Sequence, residues 1–322
     1  MNVFLRIAAA AIVAVASLTA AAQSYPSRPI RVMIPFTAGS AADIIARAME
    51  PQLREKLGQS LVIDNRGGAG GNICAELTAK SAPDGYTIMM GTIGTHAINY
   101  SLYSRLPYHP IRDFTPIALV GDSPNVLVIN PHVPANSIKE LIALARARPG
   151  QLNYGSSGAG TSVHLSAELF STMAGVRMVH VPFKGATEAL TALLGGQLDL
   201  MFASLSSSIP LIKQGRLKAF AVTGAQRSPS IPELPTMSEA ALPGYAAAAW
   251  YGLVGPAGVP KPIVATLSNA ALASVNTPEV KERLFASGVE VRPGNDQEFA
   301  KLIESEVQKW AKVVKASGAR VD

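Results

Sequence analysis

The sequence predicts an α/β protein of two domains. Three observations carry this: strand and helix signals alternate along most of the 322 residues, a unit of strand, small-residue loop and helix occurs near the start, and the same unit returns in the second half. The length suffices for two cores at roughly 100 to 200 residues each.

Val32, Met33 and Ile34 form a short apolar run of the kind a buried parallel strand shows, stopped at Pro35 by loss of a backbone donor. Thr37, Ala38, Gly39, Ser40 and Ala41 carry almost no bulk, so a ligand, and an anion above all, can approach the N–H groups where the chain enters a helix. Asp43 falls in the first helical turn, and Ile45, Met49, Leu53 and Leu57 follow at four-residue spacing until Gly58. Pro51 inside that stripe predicts a kink or break at Glu50. Residues 61–64 read as a second strand, 65–72 as a glycine-rich turn into a helix carrying Ile73, Leu77 and Ala79, and 87–90 as a third strand. The small-residue loop 91–96 follows.

Residues 117–120 and 126–129 read as two separate strands, with a change of domain near Asp122. Ser137 and Glu140 box the start of a helix that ends at Pro149-Gly150. Then the opening pattern returns over 152–170: a strand, a hydroxyl-rich loop holding Ser156, Ser157, Gly160 and Thr161, and a helix carrying His164 and stopped by Gly175. The βα rhythm continues through strands at 178–181, 200–203 and 219–223, with a turn at Phe183-Lys-Gly185 and a helix over 187–194. Pro229, Pro232, Pro235 and Pro243 mark an extended return to the first domain. A strand at 251–254 and three helices, over 260–274, 278–287 and 296–316, complete the chain; the last carries an apolar stripe of Phe299, Leu302, Ile303, Val307, Trp310 and Val314.

Composition bounds the function. Arg6 followed by an apolar run over 7–22 that ends in small residues reads as a secretory signal, too short for the ~20 residues of a membrane span. Its removal lowers the net charge of +6 by one. The remaining Lys and Arg are scattered, which excludes a nucleic-acid surface and suits small acidic ligands. Cys74 is the single cysteine, among apolar neighbours, so there is no intrachain disulfide and the thiol reads as buried and inert. His96, His109, His132, His164 and His180 lack metal-site spacing. Both glycine loops miss the last glycine of GxGxxG, at Ile73 and Val163, and no GxxxxGK[ST] occurs, so nucleotides are excluded and no cofactor is called for. Ser156 and Ser157 precede His164 by eight and seven residues, yet the run around them is not GxSxG and builds no nucleophile elbow. His164 is read equally as a donor to a ligand or as a packed residue. Lys184 is either a partner for an acid or a solvated lysine. Asp43 either steadies the helix start or pairs with a ligand ammonium.

The chain resembles the tripartite tricarboxylate transporter receptors, the Bug family of periplasmic solute-binding proteins. The resemblance spans about residues 25–318 and rests on Tyr25-Pro-x-Arg-Pro-Ile30, Pro35-Phe-x-Ala-Gly39 with Asp43, Asn65-Arg-x-Gly-Ala-Gly-Gly71, Gly94-Thr-His96, Tyr154-Gly-Ser-Ser-Gly158 with His164, Val181-Pro-Phe-Lys-Gly185, Gly195-Gly-Gln-Leu-Asp199 and Pro235-Thr-x-x-Glu239. It implies a type II periplasmic-binding-protein fold with hinged lobes that close on a small carboxylated solute, an organic, amino or aromatic acid. Carried over by position, one wall of the cleft would be Phe36, Ala38, Gly39, Ser40 and Asp43, with Thr92 and Thr95 beside it. The other would be Ser156, Ser157, Gly160 and Thr161, with His164, Phe183, Gly185 and Ser204. The sequence departs from the family pattern at Ser40 and Cys74, where glycine is usual, and at Gly67, where proline is usual. The domains would be 23–124 with 247–322, and 125–246, after a signal peptide at 1–22. A monomeric periplasmic receptor delivering to a membrane transporter is the leading reading. A ligand-dependent partner of a sensor kinase is the alternative, and a serine esterase or amidase the distant third.

Overall fold

The structure is a computed structural model that describes residues 25–317 and 320–321; the signal peptide expected over 1–22 lies outside the described residues. Among the described residues the strands are β1 (Ile30–Ile34), β2 (Leu61–Asn65), β3 (Thr87–Thr92), β4 (Phe114–Ile129), β5 (Asn153–Ser156), β6 (Val179–Pro182), β7 (Leu200–Ser204), β8 (Lys218–Val222), β9 (Ala248–Pro256) and β10 (Glu290–Gly294). They form one curled sheet in the order β2-β1-β3-β9-β4-β7-β5-β6, with β8 and β10 also paired to β4. Pairing is parallel where βα units dictate it, among β2, β1 and β3 and among β7, β5 and β6, and antiparallel along β9 and β4.

The two strands expected on either side of Asp122 are one. β4 runs unbroken for 16 residues, and its partner changes at Pro124: residues up to Pro124 pair with β9, whereas Asn125 to Ile129 pair with β7. The polar stretch Gly121 to Asn125 hid the join from a reading by hydrophobic runs, because its ladder bonds come from neighbours distant in sequence. β10 went unread for the same reason: Glu290, Arg292 and Pro293 make a poor strand alone, and β4 supplies the pairing.

Alternation along the strands sorts the cores. Leu127, Ile129, Tyr154, Leu200 and Phe202 point to one face, packing with Phe170 and Tyr245. Val126, Val128, Met201 and Ala203 point to the other, with Val163, Leu193 and Leu205. A larger core gathers β1, β3 and β9 with Ile45, Met49, Leu267 and Phe299.

Helix α1 (Ala41–Leu57) passes through Pro51 without the break expected at Glu50. An internal proline costs about 3 kcal/mol of helix stability, but Ile45, Met49, Leu53 and Leu57 are all buried on one side and hold the turns together. The later helices are α2 (Asn72–Ala79), α3 (Asn99–Leu102), α4 (Ile138–Ala147), α5 (Ser162–Ala174), α6 (Ala186–Leu194), α7 (Leu205–Lys213), α8 (Met237–Ala240), α9 (Lys261–Val275), α10 (Pro278–Ala286) and α11 (Asp296–Ser317). Between β3 and α3 the chain makes a turn of π-helix over Gly94–Ile98. The stripe on α11 buries Phe299, Ile303, Val307, Trp310 and Val314 in the larger core, with Trp250 edge-on to Phe299 at 5.4 Å between ring centroids. Cys74 is buried, which pushes its thiol up to about 12. No described helix is long and apolar enough to cross a membrane.

Candidate functional site

Four helices begin at one cavity. Ser40 caps α1, its Oγ accepting the Asp43 N–H at 3.4 Å, and Thr161 caps α5 in the same way, accepting from His164 N–H at 3.3 Å. Each cap satisfies one donor of the first turn and leaves the earlier N–H groups without an intrahelical acceptor. Gly185 and Ser204 stand at the same position before α6 and α7. The cavity is narrow and is walled by Ser40 and Ala41 on one side and by Thr161, Ser162, Val163 and Ala186 on the other. Its floor comes from the strands: Thr92 ends β3, Ala249 and Tyr251 lie on β9, and Ser204 ends β7. Among the described residues that line it none is charged. Each helix start carries up to about half a positive charge, so an anion is drawn there without a cation to compete with hydration.

Of the residues singled out in the sequence, Phe36, Ser40, Thr92, Ser157, Thr161 and Ser204 line this cavity. The remaining ones stand behind it. The Ala38 carbonyl accepts from Thr187 Oγ1 at 3.0 Å, and the Phe183 N–H donates to the Ser156 carbonyl at 3.0 Å. Thr95 Oγ1 takes the Thr92 N–H at 3.1 Å and meets the Thr92 hydroxyl at 3.3 Å, fixing that floor residue. Gly160 donates its N–H to His164 Nδ1 at 3.2 Å.

Asp43 is buried under α1 and fully engaged. Its carboxylate accepts from Gly39 N–H at 2.9 Å, Arg47 Nε at 3.0 Å and Asn65 Nδ2 at 3.1 Å. Burial alone would raise its pKa, yet these bonds and the Arg47 charge hold it below the usual carboxylate value. Of the two readings of Asp43, this geometry is that of the helix start: it braces the loop whose backbone faces the cavity. Asp43→Asn is expected to cost about 1–3 kcal/mol, the penalty for weakening charge-assisted bonds to buried partners. The order of preference among ligands should not change. Thermal melts at neutral pH and a ligand series check both halves.

Beneath the second wall lies a stack that sequence reasoning missed. His164 and His180 are parallel at 4.1 Å, and Tyr154 continues the stack at 4.9 Å from His180. His180 Nε2 is 2.7 Å from Ser156 Oγ, which also accepts the Gly158 N–H at 3.1 Å. The pair resembles a nucleophile and its base, but Ser156 is wholly buried and does not line the cavity. Burial lowers His180 to about 4, and burial with the neighbouring imidazole lowers His164 to about 3. Both are neutral at pH 7. Since Gly160 N–H binds His164 Nδ1, its proton sits on Nε2, 3.8 Å from Glu168. The signal for the Ser156–His180 contact was in the pairing of β5 with β6, visible only once the strands are adjacent.

The family described as tripartite tricarboxylate transporter family receptor matches residues 45–319. The chain belongs to that family. Protein BugT of Bordetella pertussis is 35% identical over 301 residues, covering 93% of this chain and 92% of BugT. Among solved structures, R. palustris Rpa4515 with adipate is 39% identical at a TM-score of 0.90, covering 92% of this chain and 100% of that one. MatC from Rhodopseudomonas palustris with bound malate is 34% identical at a TM-score of 0.86, covering 90% and 100%.

In this tricarboxylate transporter receptor the two walls meet at the cavity rim. Tyr103 donates its hydroxyl to the Ala159 carbonyl at 2.9 Å, and Thr187 donates to Ala38 as above. Glycines allow backbone to meet backbone: a Cβ on Gly70 would lie 2.1 Å from the Ala159 oxygen, and one on Gly94 3.0 Å from the Gly160 oxygen. Ala41 belongs to the small-residue loop read from the sequence, whereas Ser162, Val163 and Ala186, which line the cavity at the starts of α5 and α6, were not singled out. Ile93 and Gly94 beside Thr92 belong to the small-residue loop 91–96, Tyr251 was read as the start of a strand, and Ala249 on β9 was not singled out.

Proposed function

We propose that this receptor captures a small dicarboxylate between two hinged lobes in the periplasm and delivers it, as a monomer, to the membrane components of a tripartite tricarboxylate-type transporter. The lobes are residues 23–124 with 247–322, and residues 125–246. The observation that carries the reading is the convergence of four helix starts on a cavity lined by no charged side chain. Each start contributes roughly 0.3–1 kcal/mol to holding an anion when exposed and up to ~2 when partly buried. Facing starts favour an acid group at either end of the ligand. Adipate and malate, named with Rpa4515 and MatC, are both dicarboxylates. The hinge would be where β4 and β9 pass from one set of cores to the other.

Nothing lining the cavity offers an ammonium group a counter-charge, since Asp43 is taken by Arg47, Asn65 and Gly39. Burying a cation without one costs several kcal/mol. Isothermal titration of the mature chain should therefore give tight binding of plain diacids and at least about tenfold weaker binding of aspartate and glutamate, a gap of ~1.4 kcal/mol or more. Absence of heat with every diacid would sink the carboxylate reading. Equal affinity for amino acids would sink the exclusion of amines. Pull-down of liganded against empty protein from membrane extracts distinguishes a transporter from a sensor kinase, the alternative partner, by the protein retained.

A further inference from the structure

We propose that Tyr251 sets the length of ligand this cavity accepts, an inference that rests on the dicarboxylate reading above. Tyr251 sits on β9 opposite Thr92 of β3 and Gly121 of β4, in the part of the sheet where the two sets of cores meet. Its side chain is 4% exposed and lines the cavity. The phenol is buried, which raises its pKa, and Ser204 at the end of β7 lines the same floor. Tyr251 and Ser204 thus bring β9 and the end of β7 together at the floor of the cavity.

Three of the four helix starts, those of α1, α5 and α6, stand at the walls; the fourth, that of α7, follows Ser204 at the floor, which is otherwise built from the small residues Thr92 and Ala249. Of the aromatic side chains that line the cavity, Phe36 belongs to the wall, in the loop between β1 and α1, and Tyr251 to the floor. A ligand held at the walls extends until it meets the phenol. Removing the ring opens space continuous with the cavity, since the neighbours opposite Tyr251 are a threonine and a glycine.

The test is titration of wild type, Tyr251→Phe and Tyr251→Ala with succinate, glutarate, adipate, pimelate and suberate. Wild type should show an optimum length with weaker binding beyond it. Tyr251→Phe should keep that optimum. Tyr251→Ala should move it to longer acids by about two methylenes and change the suberate-to-succinate affinity ratio at least about tenfold, each buried methylene being worth roughly fourfold. If the alanine variant does not fold, Tyr251→Leu, which shortens the side chain while keeping the strand position filled, should move the ratio the same way by about fourfold. An unmoved optimum in a cooperatively melting variant overturns the role of Tyr251 and leaves the receptor reading intact. Failure of wild type to bind any of the five acids overturns both.

Discussion

Gly185→Ala is expected to weaken ligand binding about ten- to hundredfold while the protein melts within a few degrees of wild type, because overpacking costs of about 1–3 kcal/mol fall on the closed form alone. A Cβ at Gly185 would lie 2.0 Å from Thr37 Oγ1, 2.9 Å from its Cβ and 3.0 Å from its Cγ2. Rotating the threonine exchanges Oγ1 and Cγ2 but leaves Cβ in place, so main chain has to move. The backbone at Gly185, with φ −171 and ψ 171, is extended and suits alanine as well as glycine. No strain arises within the segment itself. The cost lands across the rim, where Thr187 meets Ala38 and where a Cβ on Gly67 would come within 3.2 Å of the Lys184 oxygen. A ligand that binds only when the walls meet then has to offset the added cost, and its apparent affinity falls by the corresponding factor. Calorimetric titration and a thermal melt of the same sample check the two halves, and a second change, Thr37→Gly, should restore most of the affinity. Unchanged affinity in Gly185→Ala would mean that the walls need not meet for the ligand to be held.

The site was legible where its chemistry is local. Small residues before a helix start mark a loop that a ligand can approach, and Ser40, Ser157 and Thr161, carried over by the family resemblance, line the cavity. What lay beyond reach depends on partners far along the chain. Tyr251 sits in an apolar run indistinguishable from core, and only the pairing of β9 with β3 and β4 brings it beneath the helix starts. Ala186 has only a methyl group, which carries no signal; it opens α6. The continuity of β4 escaped because Asp122 and Ser123 look like a turn until β9, β10 and β7 supply their ladders. Pro51 is the reverse case. A strong local signal for a break lost to four buried side chains on the same helix face. Asp43 was ambiguous for a further reason: a carboxylate in a first turn serves a helix and a ligand ammonium equally well, and only the positions of Arg47 and Asn65 decide.

Acid should destabilise the fold before most of its carboxylates titrate. His96 is wholly buried, its ring edge-on to Phe114 at 4.5 Å, with Nδ1 2.8 Å from Thr95 Oγ1 and Nε2 without a hydrogen-bond partner. Burial lowers it to about 3, beside about 3 for His164 and about 4 for His180. A histidine depressed in the folded state is protonated first in the unfolded chain, at about 6.5. Stability is therefore complete above that value and lost as pH falls toward the folded values, by about 2–3 kcal/mol per site at pH 4.5. Asp43, Asp64 and Asp113 are held low, and their contributions are lost only below the ordinary carboxylate value of about 3.8. The interval from pH 6.5 to 4.5 thus isolates the histidines, with one opposing group. Asp122 is raised to about 6 by burial and by Glu290 and Glu306, against the pull of Arg292, and favours the fold as it protonates. The three histidines outweigh it, and melting should fall by roughly ten degrees across this interval for a chain of this size. His96→Asn keeps a polar atom for Thr95 and should lower stability at pH 7 through lost ring packing, while flattening the decline by about 2–3 kcal/mol. The slope is independent of the starting stability, so melts at pH 7, 6, 5 and 4.5 separate the two effects. An equal slope in wild type and His96→Asn would show that this ring takes up its proton without opening the fold.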